Sequence, residues 1–218
     1  YNMDFLISAM VILLLILWHF LGQKRAEDLN NRVFLFFAVL GTADVVAEFF
    51  TNYYITSYNS DMENAAVIVT TIFYLLQALL PVTFIFYIQT LHEQKIISAK
   101  KMFISGVPTL VLISVILTNP FTEKLFSFDV TAGYVKGPWY LLMYVSALGH
   151  FAVALLLILL WRKKFGPQKE KILLEIFVIS GVGVVLQMFC QSLLMTGFGM
   201  SLGILALFIT INNPNANL

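Results

Sequence analysis

Long apolar runs separated by short polar loops constrain this chain more than any other feature. Seven runs approach the roughly 20 residues that a helix needs to cross a bilayer. They cover about residues 5–21, 33–54, 65–90, 102–118, 139–161, 172–195 and 198–212. The runs do not alternate apolar and polar residues, as the strands of a membrane barrel would. The sequence therefore predicts an all-α transmembrane fold, a seven-helix bundle that forms one domain over residues 1–218.

Composition and charge placement predict how the bundle sits in the bilayer. The chain is 60% hydrophobic and 11% charged, whereas a soluble domain is about 25% charged, so lipid is the expected main partner. Of the 13 basic residues, three lie in the first loop, three in the third and five in the fifth. Short basic loops stay in the cytoplasm. We therefore expect the N-terminus outside and the C-terminus inside.

Two acidic residues fall within the second predicted helix. Asp44 and Glu48 are four residues apart and share a helix face. Ionisable groups at membrane depth are costly and often functional. One interpretation is a pair that binds a cation, a ligand amine or a proton. The other is a polar contact that neighbouring helices satisfy.

Other polar side chains fall in the middle or outer half of the predicted helices. They are Tyr74, Gln77, His150, Gln187 and Gln191. With Glu48, they predict a polar cavity that opens outward between helices two, three, five and six. Pockets between helices are ordinary ligand sites, so each of these residues is a candidate for ligand binding.

Several kinds of membrane-protein chemistry are not supported. The seventh predicted helix has no lysine for a retinal Schiff base. The histidines His19, His92 and His150 lie on separate segments without a metalloprotease motif. Deep acidic residues occur on helix two alone, which disfavours an intramembrane aspartyl protease. We expect no catalytic residue, metal, cofactor or nucleic-acid partner in this chain, which is not itself an enzyme.

The loop between the fourth and fifth helices has the pattern of a β-hairpin. Phe126, Phe128 and Val130 alternate with Leu125, Ser127 and Asp129, and the turn falls at residues 131–133, where Gly133 can take positive φ.

The same loop gives two predicted helix ends. We expect Asn119 and Pro120 to end helix four and Pro138 to lie in the first turn of helix five. The topology places the hairpin outside the membrane, over the predicted cavity. Its candidate lid residues are Phe126, Phe128, Tyr134 and Trp139. The alternative is an aromatic belt at the membrane interface.

The hairpin segment also resembles a known family. "TNPFTEKLFSFDVTAGYVKGPWYLLMY", "LLQALLP" at residues 75–81 and the closing "NNPNANL" are similar to the N-terminal seven-helix membrane regions of bacterial GGDEF (diguanylate cyclase) signalling proteins. More distantly, the chain resembles the seven-helix sensor region of some histidine kinases. The matching residues of the hairpin segment are Thr118, Asn119, Pro120, Phe121, Phe126, Asp129, Gly133, Tyr134, Gly137 and Pro138.

The resemblance implies a sensor in the bacterial plasma membrane. It implies a cytoplasmic output domain after Leu218, reached through the tail residues Asn212, Asn213 and Pro214. It also implies a homodimer for the full-length protein, but it assigns no ligand-binding residue. The leading hypothesis is therefore a sensor domain for a small-molecule or lipid ligand. The alternatives are a small-solute or proton-coupled transporter that uses Asp44 and Glu48, and a structural membrane anchor.

The predicted topology has a direct labelling test. A cysteine placed at Ser60 should react with a membrane-impermeant thiol reagent from outside, and one placed at Ser98 should not. The unmodified chain, with its single Cys190, gives the background. Labelling at Ser98 but not at Ser60 would overturn the orientation.

Overall fold

The computed structural model describes residues 3–23, 28–93, 99–129, 131–189 and 195–211. Over these residues the fold is helical, with one two-stranded hairpin. The helices are α1 (Asp4–Gly22), α2 (Leu29–Thr56), α3 (Glu63–Glu93), α4 (Ala99–Thr122), α5 (Leu141–Phe189) and α6 (Met195–Thr210). A short 3₁₀ helix, Ser60–Met62, precedes α3, and the strands β1 (Phe126–Asp129) and β2 (Gly133–Lys136) lie between α4 and α5.

Over the described residues the structure has six helices where the sequence predicts seven. The predicted fifth and sixth helices belong to one element, α5, of 49 residues. A straight helix of that length would extend about 73 Å, more than twice the hydrocarbon thickness of a bilayer. The element instead breaks at Gly166, which has φ 75° and ψ 162°. The rings of Phe151 and Phe177 lie 5.8 Å apart, so the two arms of α5, 141–165 and 167–189, fold back side by side.

The helices share an apolar core and present an apolar outer surface. Helix α1 packs between α2 and α6, and α3 contacts α2, α4 and α5. Outward-facing side chains are also large and apolar, such as Trp18, which is 78% exposed, and Leu160, which is 66% exposed. Within the described residues, α1, α2, α3 and α5 are long and apolar enough to cross a membrane. These features fit a membrane protein.

The predicted hairpin forms, and β2 begins at Gly133, which the prediction placed in the turn. Phe126 pairs with Lys136 and Asp129 with Gly133, and Gly133 has φ +68°. The Asp129 carboxylate closes the turn by accepting hydrogen bonds from the side chain of Thr131 and from the backbone N–H groups of Ala132 and Thr131. These bonds lower the pKa of Asp129, so the turn loses this support as the pH falls through that lowered value.

Asn119 fastens the hairpin to α4. The prediction that Asn119 and Pro120 end the helix is wrong, because α4 continues to Thr122 and contains Pro120. The Asn119 side chain is 1% exposed. Its Nδ2 donates to the Phe126 carbonyl at 2.9 Å, and its Oδ1 accepts from the N–H groups of Leu125 at 2.7 Å and Phe126 at 3.3 Å. The one side-chain amide therefore satisfies the backbone N–H and carbonyl groups where β1 begins.

The return from the hairpin to α5 also differs from the prediction. Residues 138–140 form a turn and α5 begins at Leu141, so Pro138 is not in the first helical turn. The Gly137 N–H donates to the Leu125 carbonyl at 2.8 Å. A Cβ at residue 137 would collide with the Lys124 carbonyl, so this close crossing requires glycine.

The burial of the hairpin corrects one more detail. Phe126 is 1% and Phe128 8% exposed, but Leu125, which the alternation places on the opposite side, is fully buried as well. Leu125 precedes β1, so it does not follow the alternation of the strand. Val130 lies outside the described residues. The buried face of the hairpin packs on α3 and α4, against Phe73, Tyr74, Leu112 and Ile116.

Replacing Asn119 should detach the hairpin from α4. Asn119→Ala removes three hydrogen bonds and leaves buried backbone groups unpaired, so we expect the free energy of unfolding to fall by roughly 2–4 kcal/mol. The measurement is reversible unfolding in mixed micelles. Thr118→Ala is the control, because Thr118 is exposed and bonds only its own helix. An equal loss in both variants would contradict the role of Asn119.

Candidate functional site

A cavity of about 150 Å³ lies inside the bundle. Residues of α2, α3, α4, both arms of α5 and α6 line it. The prediction named helices two, three, five and six, which correspond to α2, α3 and the two arms of α5. Helix α6 also contributes, through Thr196, Met200, Gly203 and Ile204, and α4 contributes Leu112. The cavity is therefore a junction of most of the bundle rather than a groove between two helices.

Asp44 brings an acidic group to this cavity. It lines the wall and is 3% exposed, and its Oδ1 has no hydrogen-bond partner among the described residues. A buried carboxyl oxygen without a partner is costly. The backbone beside it is held closely to α6, because a Cβ at Gly41 would lie 2.9 Å from Ile204 and 3.3 Å from Met200. Glycine at residue 41 thus lets the Ile204 and Met200 side chains of α6 pack against α2 one turn from Asp44.

Glu48 lies one turn further along α2 and has a different environment. It is 2% exposed, and it does not line the cavity. Gln187 donates a hydrogen bond to its carboxyl group, while Oε1 of Glu48 has no partner among the described residues. A Cβ at Gly197 would lie 2.8 Å from Glu48 Oε2, so glycine allows α6 to approach this carboxyl group.

Gln187 connects three helical segments. It projects from the second arm of α5, and its Oε1 accepts a hydrogen bond from the Thr196 N–H at 2.7 Å. Helix N-termini have N–H groups that the helix itself cannot satisfy, and Thr196 is the second residue of α6. Gln187 therefore caps α6 with its carbonyl oxygen and bonds Glu48 of α2 with its amide.

His150 lines the same cavity but is already committed to the protein. It is 6% exposed. Its Nδ1 lies 2.7 Å from the Ser146 carbonyl oxygen, so Nδ1 donates. Its Nε2 lies 2.9 Å from Thr109 Oγ1, and in the neutral ring this nitrogen accepts the hydroxyl proton. His150 thereby joins the first arm of α5 to α4.

Tyrosines connect the hairpin with the cavity. The hydroxyl groups of Tyr134 in β2 and Tyr74 in α3 lie 2.6 Å apart. Tyr74 also bonds Tyr140, whose ring centroid lies 5.6 Å from that of Tyr144. Tyr74, Tyr140 and Tyr144 line the cavity. The hairpin therefore contacts the cavity wall through hydroxyl groups as well as apolar packing.

The structure brings together most of the residues that the sequence singled out. Five of them line the cavity: Asp44, Tyr74, Gln77, His150 and Gln187. Glu48 contacts one of these residues, Gln187, from behind the wall. Gln191 and the tail residues Asn212, Asn213 and Pro214 lie outside the described residues.

The four candidate lid residues divide into two groups. Phe126, Phe128 and Tyr134 pack in the cluster beneath the hairpin. Trp139 is 46% exposed, and Lys124 Nζ lies 4.3 Å from its ring centroid. Trp139 therefore lies at the edge of the hairpin and does not belong to the face that packs on α3 and α4.

Two contributors were missed by sequence reasoning. Tyr140 lies in the "GPWY" turn, among aromatic residues that are also typical of an interfacial belt. The sequence signal for its role is Tyr144, four residues later. Thr109 on α4 follows Pro108 in an apolar run and belongs to no polar stripe. Its bond to His150 depends on tertiary packing that no local pattern shows.

Removing the Gln187 side chain should loosen the start of α6. Gln187→Ala takes away the bond to the Glu48 carboxyl group and the cap on Thr196, so we expect the free energy of unfolding to fall by about 1–3 kcal/mol. Amide hydrogen exchange near Thr196 should also become faster. Met188→Ala is the control, since Met188 is the next residue and is 39% exposed. Unchanged exchange at Thr196 in Gln187→Ala would contradict the capping role.

The comparisons with known proteins add no family assignment. No protein-family model matches the chain, and no curated protein or solved structure gives a significant match either. The cavity geometry is therefore the main ground for a functional conclusion.

Proposed function

We propose that this chain is a membrane sensor domain that binds a small ligand in the central cavity and responds by moving α6. The observation that carries the proposal is the placement of Asp44, a buried acidic group with an unpartnered oxygen on the wall of a cavity that α6 also lines. A ligand that bonds the Asp44 carboxyl group also contacts α6 and stabilises one position of that helix relative to another.

The contacts around Glu48 supply the coupling to α6. Glu48 and Gln187 link α2, the second arm of α5 and the first turn of α6. Asp44 and Glu48 lie one turn apart on α2, so a ligand that shifts Asp44 also acts on the helix that carries Glu48. In this proposal, the start of α6 changes its contacts with Gln187, and α6 moves as a rigid element.

The proposed topology uses each arm of α5 as a separate crossing. At 1.5 Å per residue, arms 141–165 and 167–189 each extend about 35 Å, enough for a hydrocarbon core of roughly 30 Å. Five basic residues lie around the break at Gly166, namely Arg162, Lys163, Lys164, Lys169 and Lys171. They support a cytoplasmic position for the break. The hairpin then lies outside the membrane. The two arms of α5 and the other five helices together make seven crossings.

The hairpin acts in this proposal as a lid on the outer end. Tyr134 bonds Tyr74 at the cavity wall, while Phe126 and Phe128 cover α3 and α4. Opening the hairpin would admit a ligand from outside or from the outer leaflet. Its close attachment through Asn119 means that such opening involves the turn end more than the α4 end.

We also propose the output that the family resemblance implies. Movement of α6 would pass through the residues after Thr210 to a cytoplasmic domain, a GGDEF diguanylate cyclase that works as a homodimer in the bacterial plasma membrane. Support for this step is the similarity of the hairpin segment and of "LLQALLP" to that family. The chain described here supplies the sensing part alone.

The test is whether filling the cavity moves α6. Spin labels at Leu160 on the first arm of α5 and at Ile209 on α6 occupy exposed sites, and Cys190 is replaced by serine. Ala147 lines the cavity, so Ala147→Phe fills part of it from within. We expect the mean distance between the labels, measured by pulsed electron paramagnetic resonance in nanodiscs, to change by about 1–2 Å or more.

Leu148→Phe is the matched control, since it adds an aromatic ring at the next residue, which is 48% exposed. It should leave the distance unchanged. A folded Ala147→Phe variant with the parent distance would contradict the sensor proposal. The unpartnered oxygens of Asp44 and Glu48 also suit a proton-coupled transporter; solute flux into liposomes that Glu48→Gln abolishes would favour that function instead.

A further inference from the structure

The charges that line the cavity restrict the ligand. Asp44 is the acidic lining residue, and no lysine or arginine lines the cavity in the part of the chain that the structure describes. His150 has both ring nitrogens engaged, by Ser146 and Thr109. The wall therefore offers a carboxyl group and no opposing cation, which disfavours an anionic ligand and leaves the carboxyl group without a positively charged partner among the lining residues.

Aromatic rings make up much of the remaining wall. The aromatic lining residues are Phe37, Phe73, Tyr74, Phe84, Tyr144 and Phe151, together with Tyr140. Phe37 and Phe84 come from facing helices, with ring centroids 6.0 Å apart. Aromatic faces attract cations, and this attraction is stronger where water is excluded. A carboxyl group among aromatic rings is the pattern that recognises organic ammonium ions.

A bare metal ion fits the same cavity poorly. Calcium takes six to eight oxygen ligands, and magnesium takes six in a regular octahedron. Within the described residues, no group of three or more histidine, cysteine, aspartate or glutamate side chains is placed to hold a metal. One carboxyl group in an apolar wall provides too few oxygen ligands, whereas an ammonium group needs few hydrogen bonds and can place its apolar part against the rings.

The size of the cavity sets the size of the ligand. Its volume is about 150 Å³, and an apolar cavity of about this volume in another protein holds one benzene molecule. Gln77, Ser146 and Ser180 also line the cavity and offer polar atoms for a second functional group. The fit is to a compact amine of roughly six to eight non-hydrogen atoms, and not to a phospholipid headgroup with its phosphate.

We propose that the cavity binds a small organic ammonium ion, with the Asp44 carboxylate as its counter-ion and the aromatic rings as its apolar contact. This inference rests on the proposed sensor function, because it names the ligand class for the same cavity. Binding forms a charge-assisted hydrogen bond from the ammonium N–H to Asp44. It requires no covalent step and no further cofactor.

Three probes of similar shape test the inference. At neutral pH benzylamine is cationic, benzyl alcohol is neutral and benzoate is anionic. Their affinities for the chain in nanodiscs are measured by ligand-observed NMR titration. We expect benzylamine to bind at least about tenfold more tightly than benzyl alcohol, and benzoate to bind least, because a hydrogen bond between charged groups exceeds a neutral one by this margin.

Two substitutions locate the binding. Asp44→Asn preserves the size of the side chain and should remove the preference for benzylamine over benzyl alcohol. Asp61→Asn makes the same change at an exposed aspartate that does not line the cavity, and it should leave the preference in place. The unfolding temperature of each variant shows whether the bundle remains folded.

The outcomes separate this inference from the sensor proposal. Equal binding of benzylamine and benzyl alcohol, or a preference that survives Asp44→Asn, overturns the ammonium ligand but leaves the cavity as a binding site. Loss of the preference in Asp61→Asn as well would show that the preference does not arise at Asp44, which also overturns the inference. If no probe binds at millimolar concentration while Ala147→Phe still shifts α6, the ligand inference fails and the sensor proposal stands.

Discussion

The carboxyl group of Asp44, buried in a cavity without a protein cation, is the constraint on which this account depends. Burying an acidic side chain in an apolar bundle costs free energy unless a partner satisfies it. The surrounding packing nevertheless holds Asp44 in place, with Gly41 closely packed against α6. Evolution tolerates such a cost most readily at functional sites. The aromatic wall and the absence of lysine and arginine from the described lining are the grounds for the proposed preference for a cation.

The second acidic residue has a different part in the same arrangement. Glu48 lies behind the cavity wall and bonds Gln187, which caps α6 at Thr196. Adjacent turns of α2 thus bring Asp44 to the cavity and Glu48 to the start of α6. A shift of α2 changes both environments together. This shared helix is the physical basis of the proposed coupling between the cavity and α6.

Much of the fold followed from local patterns, because long apolar runs and positive φ at Gly133 leave few alternatives. The helix count did not, since Gly166 interrupts an element that continues on both sides of the break. The side-chain role of Asn119 was also hidden: an Asn-Pro pair usually marks a helix end, but here the amide bonds the hairpin backbone. Spacing on single helices found Asp44, Gln77 and Gln187. It could not find Thr109, whose bond to His150 arises only from a contact between helices, and Tyr140 lies outside the helices, in the turn before α5.

The most direct test of the central claim is the distance between a bound amine and Asp44. Solid-state NMR can measure it between ¹⁵N-labelled benzylamine and the carboxyl carbons of ¹³C-labelled aspartate in the chain reconstituted in lipid. The account predicts a nitrogen–carbon distance of about 3–4 Å, as for a direct hydrogen bond, and loss of this contact in Asp44→Asn. A contact that persists in Asp44→Asn, or benzylamine that binds with no aspartate carboxyl group nearby, would contradict it.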